Sequence, residues 1–256
     1  MIKTVITAVI LAAGLGRRLK ELGHNAPKGF LKFGEKPIIE ESIEKLLESG
    51  ITQIILVTGF LSEFYEDFAS KYPEVKIVKN ERYATSGSMY SLFCARALIN
   101  KDFLLVESDL IYERLALETL LQSVKENCLL VCGETEFGDE VHVEVLNGCV
   151  SKISKKREEV KNVYGEFIGI SKISFPMYQV MLRECEKLFQ KDLNIEYDTG
   201  CISALANQVK VGAEKVEDLL WSEIDNKEQW QRVQKIIYPA IQSKDGQAQV
   251  DLRKKC

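Results

Sequence analysis

A short apolar run near the start of the chain, residues 5–11, ends in a glycine-rich turn that is followed by basic residues. An apolar run that feeds such a turn is typical of a buried strand in an α/β protein. Gly14 and Gly16 have no side chains, so the backbone N–H groups of the turn can approach a phosphate closely. The pattern predicts a nucleotide-binding site at the end of the first strand.

Short β-rich runs then alternate with segments of helical periodicity as far as residue 109. Apolar residues recur at helical spacing over residues 35–49, whereas the run at residues 54–57 is too short for a helix. This alternation favours a parallel sheet flanked by helices. The predicted strands are residues 5–11, 53–58, 76–79 and 102–106, and the predicted helices are residues 35–49, 61–71 and 88–98.

The pattern changes at residue 128, where β-rich runs follow one another closely. Asn147-Gly148 is a strong hairpin signal between two of them. We therefore expect antiparallel strands to extend the sheet, which gives an α/β fold with a mixed sheet. The predicted strands are residues 129–132, 141–146, 149–153 and 165–173, the helices are 175–191 and 199–207, and 221–241 begins as a strand and ends as a helix.

Length and composition bound the domain organisation and the partners. The 256 residues suffice for one large α/β domain, which we assign to residues 1–242, and residues 243–256 read as a polar tail or linker. A net charge of −4 offers no basic surplus for nucleic acid. No apolar stretch reaches the roughly 18 residues of a membrane span, and no signal-peptide cleavage site follows the N-terminus.

The cysteines and histidines limit the chemistry further. Seven cysteines are scattered through the chain without a CxxC pair, and most have apolar neighbours. This usage is typical of small core residues in a reducing cytoplasm, so we predict a cytoplasmic protein. Two histidines are too few for a histidine-based metal site.

The glycine-rich turn does not fit the two common nucleotide motifs. A Walker loop needs Gly-Lys-Ser/Thr where Gly16 is followed by Arg17 and Arg18, and Leu19 replaces the third glycine of a dinucleotide fingerprint. The pattern Leu-Ala-Ala-Gly-x-Gly-x-Arg-Leu, followed by Pro-Lys, instead resembles the nucleotidyltransferases that activate sugars and alcohols with NTPs. The resemblance implies a Rossmann-like fold of the GT-A type. A chance turn between a strand and a helix is the alternative.

Two segments are predicted to bind the nucleotide. Arg18 and Lys28 supply positive charge near the glycine-rich turn, and we predict a catalytic role for both. The resemblance implies that the segment after the third strand reads the base, although a loop with a serine cap is the alternative. The predicted nucleotide-binding residues are Leu11, Ala12, Ala13, Gly14, Gly16, Asn80, Thr85, Ser86, Gly87 and Ser88.

Two carboxylates are predicted to hold Mg²⁺. Asp109 follows the fourth strand, and ligands of doubly wound sheets bind beyond the carboxyl ends of the strands. Carboxylates are suitable ligands for Mg²⁺, which also takes phosphate oxygens. The resemblance implies a second metal ligand, Asp225, which lies in a Glu-Ile-Asp motif just before a helix. Helix capping is the alternative for each aspartate.

The second substrate, which accepts the nucleotide, needs its own contacts. In the sugar nucleotidyltransferases a lysine in Glu-Lys-Pro meets its phosphate, and Lys156 falls at that place, with Lys155 and Arg157 replacing glutamate and proline. We predict a catalytic role for Lys156; a solvated basic turn is the alternative. An ammonium group on the acceptor would need carboxylates or aromatic faces. Candidates, each otherwise an ordinary surface residue, are Glu166, Glu196, Tyr197 and Asp198.

Over roughly residues 5–240, the motifs resemble the cytidylyltransferases that act on phosphocholine and, more closely, on 2-aminoethylphosphonate. The resemblance implies Mg²⁺-dependent transfer of CMP from CTP to 2-aminoethylphosphonate, with release of pyrophosphate. Some such enzymes are fused to an aminotransferase, which would suit a linker-like tail. One alternative acceptor is phosphocholine or a sugar 1-phosphate. An alternative of another class is a non-catalytic nucleotide-binding regulatory subunit.

Overall fold

The computed structural model of the protein describes residues 5–16, 26–135, 140–206 and 208–253. Eleven strands and eight α-helices lie within these residues. The strands are β1 (Thr7–Ala12), β2 (Gln53–Thr58), β3 (Val75–Lys79), β4 (Phe103–Glu107), β5 (Leu110–Tyr112), β6 (Cys128–Cys132), β7 (His142–Leu146), β8 (Cys149–Ser154), β9 (Val163–Ile173), β10 (Gly212–Lys215) and β11 (Trp221–Glu223).

The helices pack against both faces of the sheet. They are α1 (Ile38–Glu48), α2 (Ser62–Ala69), α3 (Ser88–Cys94), α4 (Leu115–Gln122), α5 (Phe175–Phe189), α6 (Ser203–Leu205), α7 (Lys227–Arg232) and α8 (Tyr238–Arg253). Short 3₁₀ turns occur at Lys28–Phe30, Ala95–Ala97 and Arg157–Glu159, and π-helical turns at Tyr197–Ile202 and Val233–Ile237. No helix in the described ranges is long and apolar enough to cross a bilayer.

The predicted mixed sheet is confirmed. Seven of its nine strands run in the order β10-β6-β9-β4-β1-β2-β3, and the β7–β8 hairpin pairs with β9. Pairing is parallel from β4 through β1 and β2 to β3, whereas β9 is antiparallel to β4, β6 and β7. Leu11 of β1 pairs with Glu107 of β4. This register brings the glycine-rich turn after β1 beside the residues that follow β4.

Strand β1 is buried along its whole length, which explains its unbroken apolar sequence. Because successive side chains point to opposite faces, Val9 packs into one core cluster and Ile10 into another. Helix α3 contributes to the first cluster and α1 to the second. A third, smaller cluster consists of Leu31, Ile38, Ile111, Ile224, Val233 and Ile241, and it attaches the C-terminal helices to the domain.

The polar segment from residue 243, predicted as a tail or linker, is instead helical through Arg253. Its Asp245 accepts a hydrogen bond from the Arg114 N–H at 2.9 Å and lies 3.3 Å from Lys45 Nζ. These contacts attach the helix to the domain. The prediction of a tail rested on the polar composition of this segment. A helix that packs on one face also has a polar composition, because it exposes polar side chains on its other faces.

Candidate functional site

A cavity of about 1010 Å³ opens at the carboxyl ends of β1 and β4. Residues from both halves of the chain line it, so the fold brings together motifs that are far apart in the sequence. The predicted site residues in its lining are Leu11, Ala12, Ala13, Gly14, Gly16, Lys28, Thr85, Ser86, Gly87, Ser88, Asp109, Glu166, Glu196, Asp198 and Asp225. Arg18, which we predicted to be catalytic, lies outside the described residues.

The glycine-rich turn folds back toward the 3₁₀ turn that contains Lys28. Gly16 has a φ of +56°, in the left-handed region that favours glycine. A Cβ atom at this position would lie 3.3 Å from Lys28 Cγ. A larger residue at position 16 would therefore be strained and would crowd the lysine. The glycine at position 16 therefore allows the left-handed turn and also leaves room for the Lys28 side chain.

Lys28 lies between the two aspartates that were predicted to hold a metal ion. Its Nζ donates hydrogen bonds to Asp109 Oδ2 at 2.8 Å and to Asp225 Oδ1. Burial alone would lower the pKa of Lys28, but the charges and hydrogen bonds of the two carboxylates outweigh it and raise the pKa above its usual value. The three side chains therefore form an ion cluster with one positive and two negative charges.

Different elements position the two aspartates. Asp109 follows β4 directly, whereas Asp225 follows β11 and comes after Ile224, whose side chain is fully buried in the third core cluster. The Asp225 N–H also donates to Gln229 Oε1 at 2.6 Å, which holds the backbone at the start of α7. Packing thus fixes Asp225 against a lysine from the opposite end of the chain.

The arrangement fits a divalent cation bound together with a nucleotide. Asp109 and Asp225 already converge on one ammonium group, so their oxygens can converge on a metal ion that takes its place. Over the described part of the chain, no group of three or more His, Cys, Asp or Glu residues could hold a metal ion. Phosphate oxygens and water would supply the remaining ligands, as is usual for Mg²⁺ at nucleotide sites.

Asn80, predicted to bind the nucleotide, is fully buried and does not line the cavity. Its amide nitrogen donates to Ser86 Oγ at 3.1 Å and to Ser91 Oγ at 3.0 Å, and its Oδ1 accepts from the Arg82 N–H at 2.9 Å. Asn80 therefore shapes the loop that precedes α3. Thr85, Ser86, Gly87 and Ser88 of the same loop do line the cavity, and the sequence did not distinguish Asn80, which supports the loop, from these residues.

Tyr197, predicted to contact the acceptor, is also fully buried and outside the lining. Its hydroxyl donates to Glu107 Oε1 at 2.9 Å. Glu107 lines the cavity at the end of β4 and was missed in the sequence, although its place two residues before Asp109 was a usable signal. Burial, reinforced by the charges of Asp109 and Asp198, raises the pKa of Glu107 to about 8.

Three predicted acceptor residues, Glu166, Glu196 and Asp198, do line the cavity. Glu166, on β9, accepts hydrogen bonds from the N–H and the hydroxyl of Thr135, both at 2.6 Å. Burial raises the pKa of Asp198 above its usual value. Together with Glu107, these side chains give one wall of the cavity an acidic character; we call Glu107, Glu166, Glu196 and Asp198 the acidic wall.

Lys156, predicted to be catalytic, does not line the cavity. Its side chain is 69% exposed and lies 3.4 Å from Glu159, which matches the alternative of a solvated basic turn. The preceding residue, Lys155, lines the cavity instead, and Arg232 of α7 adds a further positive charge to the lining. Two adjacent lysines in a turn point in different directions, and the sequence alone could not decide which one faces inward.

The family model for the MobA-like NTP transferase domain matches residues 8–166 of the chain. A CTP:phosphoglutamine cytidylyltransferase of Campylobacter jejuni is 26% identical over 243 residues, which cover 86% of this chain and 96% of that protein. A choline-phosphate cytidylyltransferase of Streptococcus pneumoniae is 33% identical over 126 residues, covering 47% of this chain and 55% of that protein.

Two further similarities concern a phosphonate enzyme and a solved structure. A CMP-5'-(3-aminopropyl)phosphonate synthase of Streptomyces rubellomurinus is 34% identical over 118 residues, covering 45% of this chain and 19% of that longer protein. The structure of the inositol-1-phosphate CTP transferase from T. maritima superimposes with a TM-score of 0.80 at 18% identity, covering 94% of this chain and 98% of that one. This likeness supports the GT-A-like fold.

Proposed function

Because this chain belongs to the family of MobA-like NTP transferase domains, we propose that it is a magnesium-dependent cytidylyltransferase that transfers CMP from CTP to 2-aminoethylphosphonate. The observation that carries the proposal is that the glycine-rich turn, the cluster of Lys28, Asp109 and Asp225, and the acidic wall meet in one cavity. Relatives described as cytidylyltransferases support CTP as the donor. The relative described as an aminopropylphosphonate synthase supports an aminophosphonate as the acceptor.

The proposed reaction needs no general base. A phosphonate oxygen is already anionic at neutral pH, so it can attack the α-phosphorus of CTP directly. The new P–O bond forms as the bond from the α-phosphorus to the bridging oxygen breaks, and pyrophosphate leaves with that electron pair. The main obstacle is the repulsion between the two anions, which positioned positive charge reduces.

Positive charge comes from this chain and from the metal ion. Lys28, Lys155 and Arg232 line the cavity and can reduce the repulsion between phosphate and phosphonate oxygens. Mg²⁺, when held by Asp109 and Asp225, supplies charge stabilisation to the phosphate oxygens. The backbone N–H groups of the glycine-rich turn are suited to the triphosphate. Catalysis would then consist mainly of positioning and electrostatic stabilisation, without a covalent enzyme intermediate.

The acidic wall supports an acceptor with a primary ammonium group. A primary ammonium donates hydrogen bonds to carboxylates, whereas a quaternary ammonium has no N–H and favours aromatic faces. The aromatic residue predicted for this role, Tyr197, is buried and bonded to Glu107. Glu166, Glu196 and Asp198 remain in the lining as carboxylates. These carboxylates support 2-aminoethylphosphonate as the acceptor. Because Tyr83, Phe167 and Trp221 also line the cavity, phosphocholine is the alternative acceptor that the next experiment tests.

Removing the ammonium group from the acceptor tests this selectivity. At saturating CTP and Mg²⁺, we expect kcat/KM for ethylphosphonate to be about 10²-fold below that for 2-aminoethylphosphonate, because the carboxylates lose a charged partner. Phosphocholine offered in parallel keeps the positive charge but cannot donate a hydrogen bond. Equal kcat/KM values for ethylphosphonate and 2-aminoethylphosphonate would rule out ammonium recognition, and faster turnover of phosphocholine would identify it as the acceptor.

A further inference from the structure

The start of α3 is bound along its backbone to the segment that carries Glu196. The Gly87 N–H donates to the Leu193 carbonyl and the Met89 N–H to the Ile195 carbonyl, both at 2.9 Å. A Cβ atom on Gly87 would lie 2.4 Å from the Ile195 carbonyl oxygen, a distance that excludes any larger residue. The loop predicted to read the base and the segment predicted to meet the acceptor are therefore in direct contact.

Ser88 is the side chain that joins these two segments. Its hydroxyl donates to Glu196 Oε2 and accepts from the Tyr197 N–H at 2.9 Å, and its own N–H lies 3.3 Å from the same Glu196 oxygen. A serine hydroxyl has one proton to donate. Since that proton is directed at Glu196, it is not available for a hydrogen bond to a base.

Glu196 gains its orientation from this contact. Its side chain is exposed, and a long exposed carboxylate has several rotamers of similar energy unless a partner selects one. The backbone N–H and the hydroxyl of Ser88 both donate to Glu196 Oε2. No described residue donates a hydrogen bond to the other carboxylate oxygen, Oε1, and the side chain lines the cavity. This oxygen can therefore accept from a donor on the acceptor.

We propose that Ser88 is a positioning residue for the acceptor, which holds Glu196 so that its carboxylate can receive the acceptor's ammonium group. This role replaces the base contact that the sequence predicted for Ser88. It rests on the proposed function, because it requires an acceptor with a cationic group. Ser88 thereby links the CTP half of the cavity to the acceptor half.

Replacing Ser88 with alanine should affect one substrate and spare the other. In Ser88→Ala we expect KM for 2-aminoethylphosphonate to rise about ten-fold, the effect of a lost hydrogen bond to a charged group. KM for ethylphosphonate and the dissociation constant for CTP, measured by calorimetry without acceptor, should stay within about two-fold of the wild-type values. The conservative variant Ser88→Thr keeps the hydroxyl and should restore most of the acceptor affinity.

Glu196→Gln gives a second test that stays valid if Ser88→Ala folds poorly, because Glu196 is exposed and its replacement leaves the core intact. When Ser88→Ala does fold, the two substitutions and the double variant form a double-mutant cycle. We expect Glu196→Gln to raise KM for 2-aminoethylphosphonate at least as much as Ser88→Ala, and the double variant to be no worse than Glu196→Gln. Additive effects, or a CTP dissociation constant raised five-fold or more in Ser88→Ala, would overturn the proposal. If the wild-type protein does not turn over 2-aminoethylphosphonate, the proposed function is refuted. The CTP dissociation constant of Ser88→Ala would still show whether Ser88 contributes to nucleotide binding.

Discussion

In Asp109→Asn, we expect kcat/KM for pyrophosphate release to fall by about 10³-fold, because the cavity loses one of the two charges that converge on its cation position. The substitution keeps the size of the side chain and removes only the negative charge, so the fold should persist. Circular dichroism and thermal unfolding would check the fold. Calorimetry with Mn²⁺ would show whether metal binding weakens together with the rate.

The matched control is Asp67→Asn, which removes the same charge from an exposed position on α2, outside the cavity. Its rate and Mn²⁺ affinity should equal those of the unmodified protein. If Asp109→Asn turned over CTP at the rate of the wild-type protein, the assignment of Asp109 as a metal ligand would be refuted.

Lys28→Met should have two effects of opposite sign, since its ammonium group lies where we place the metal ion. We expect kcat/KM to fall about 10²-fold or more, because a positive charge close to the phosphates is lost. In the absence of nucleotide, however, Mn²⁺ should bind about ten-fold more tightly. The ammonium no longer competes for this position, and the two carboxylates keep the negative charges that attract the metal ion.

Calorimetric titration of the nucleotide-free protein with Mn²⁺ measures the second effect directly. Lys32→Met provides the control, since Lys32 is exposed, lies close in sequence and is not part of the cavity lining. Unchanged or weaker Mn²⁺ binding in Lys28→Met would show that the lysine and the metal ion do not share one position. Lys28 would then act on the phosphates alone.

The parts of the fold that the sequence predicted are those in which local pattern and burial agree. Strands buried on both faces require unbroken apolar runs, so β1, β2 and β4 were identifiable, and Asn147-Gly148 marked the β7–β8 hairpin. Strands β5 and β10 were not predicted from the sequence. With three and four residues, they are too short to show a period, and their pairing depends on distant partners.

In the candidate site, too, local motifs could be predicted from the sequence, whereas features that depend on tertiary packing could not. Asp109 and Asp225 were predicted from motifs, and the structure brings both to Lys28. The orientation of a side chain depends on tertiary packing, which separates buried Tyr197 from Glu196 in the lining. For the same reason, the sequence could not distinguish Lys155 from Lys156 or identify Asn80 as a support of its loop.

Pyrophosphate release from CTP and Mg²⁺, with and without 2-aminoethylphosphonate, tests most directly whether this cavity transfers CMP to an aminophosphonate. We expect release only when the acceptor is present, and a new phosphorus signal in the NMR spectrum from an anhydride between CMP and the phosphonate. Release with phosphocholine alone would keep the metal site and change the acceptor. CTP binding without turnover of any offered acceptor would contradict the proposed activity and favour a regulatory nucleotide-binding protein.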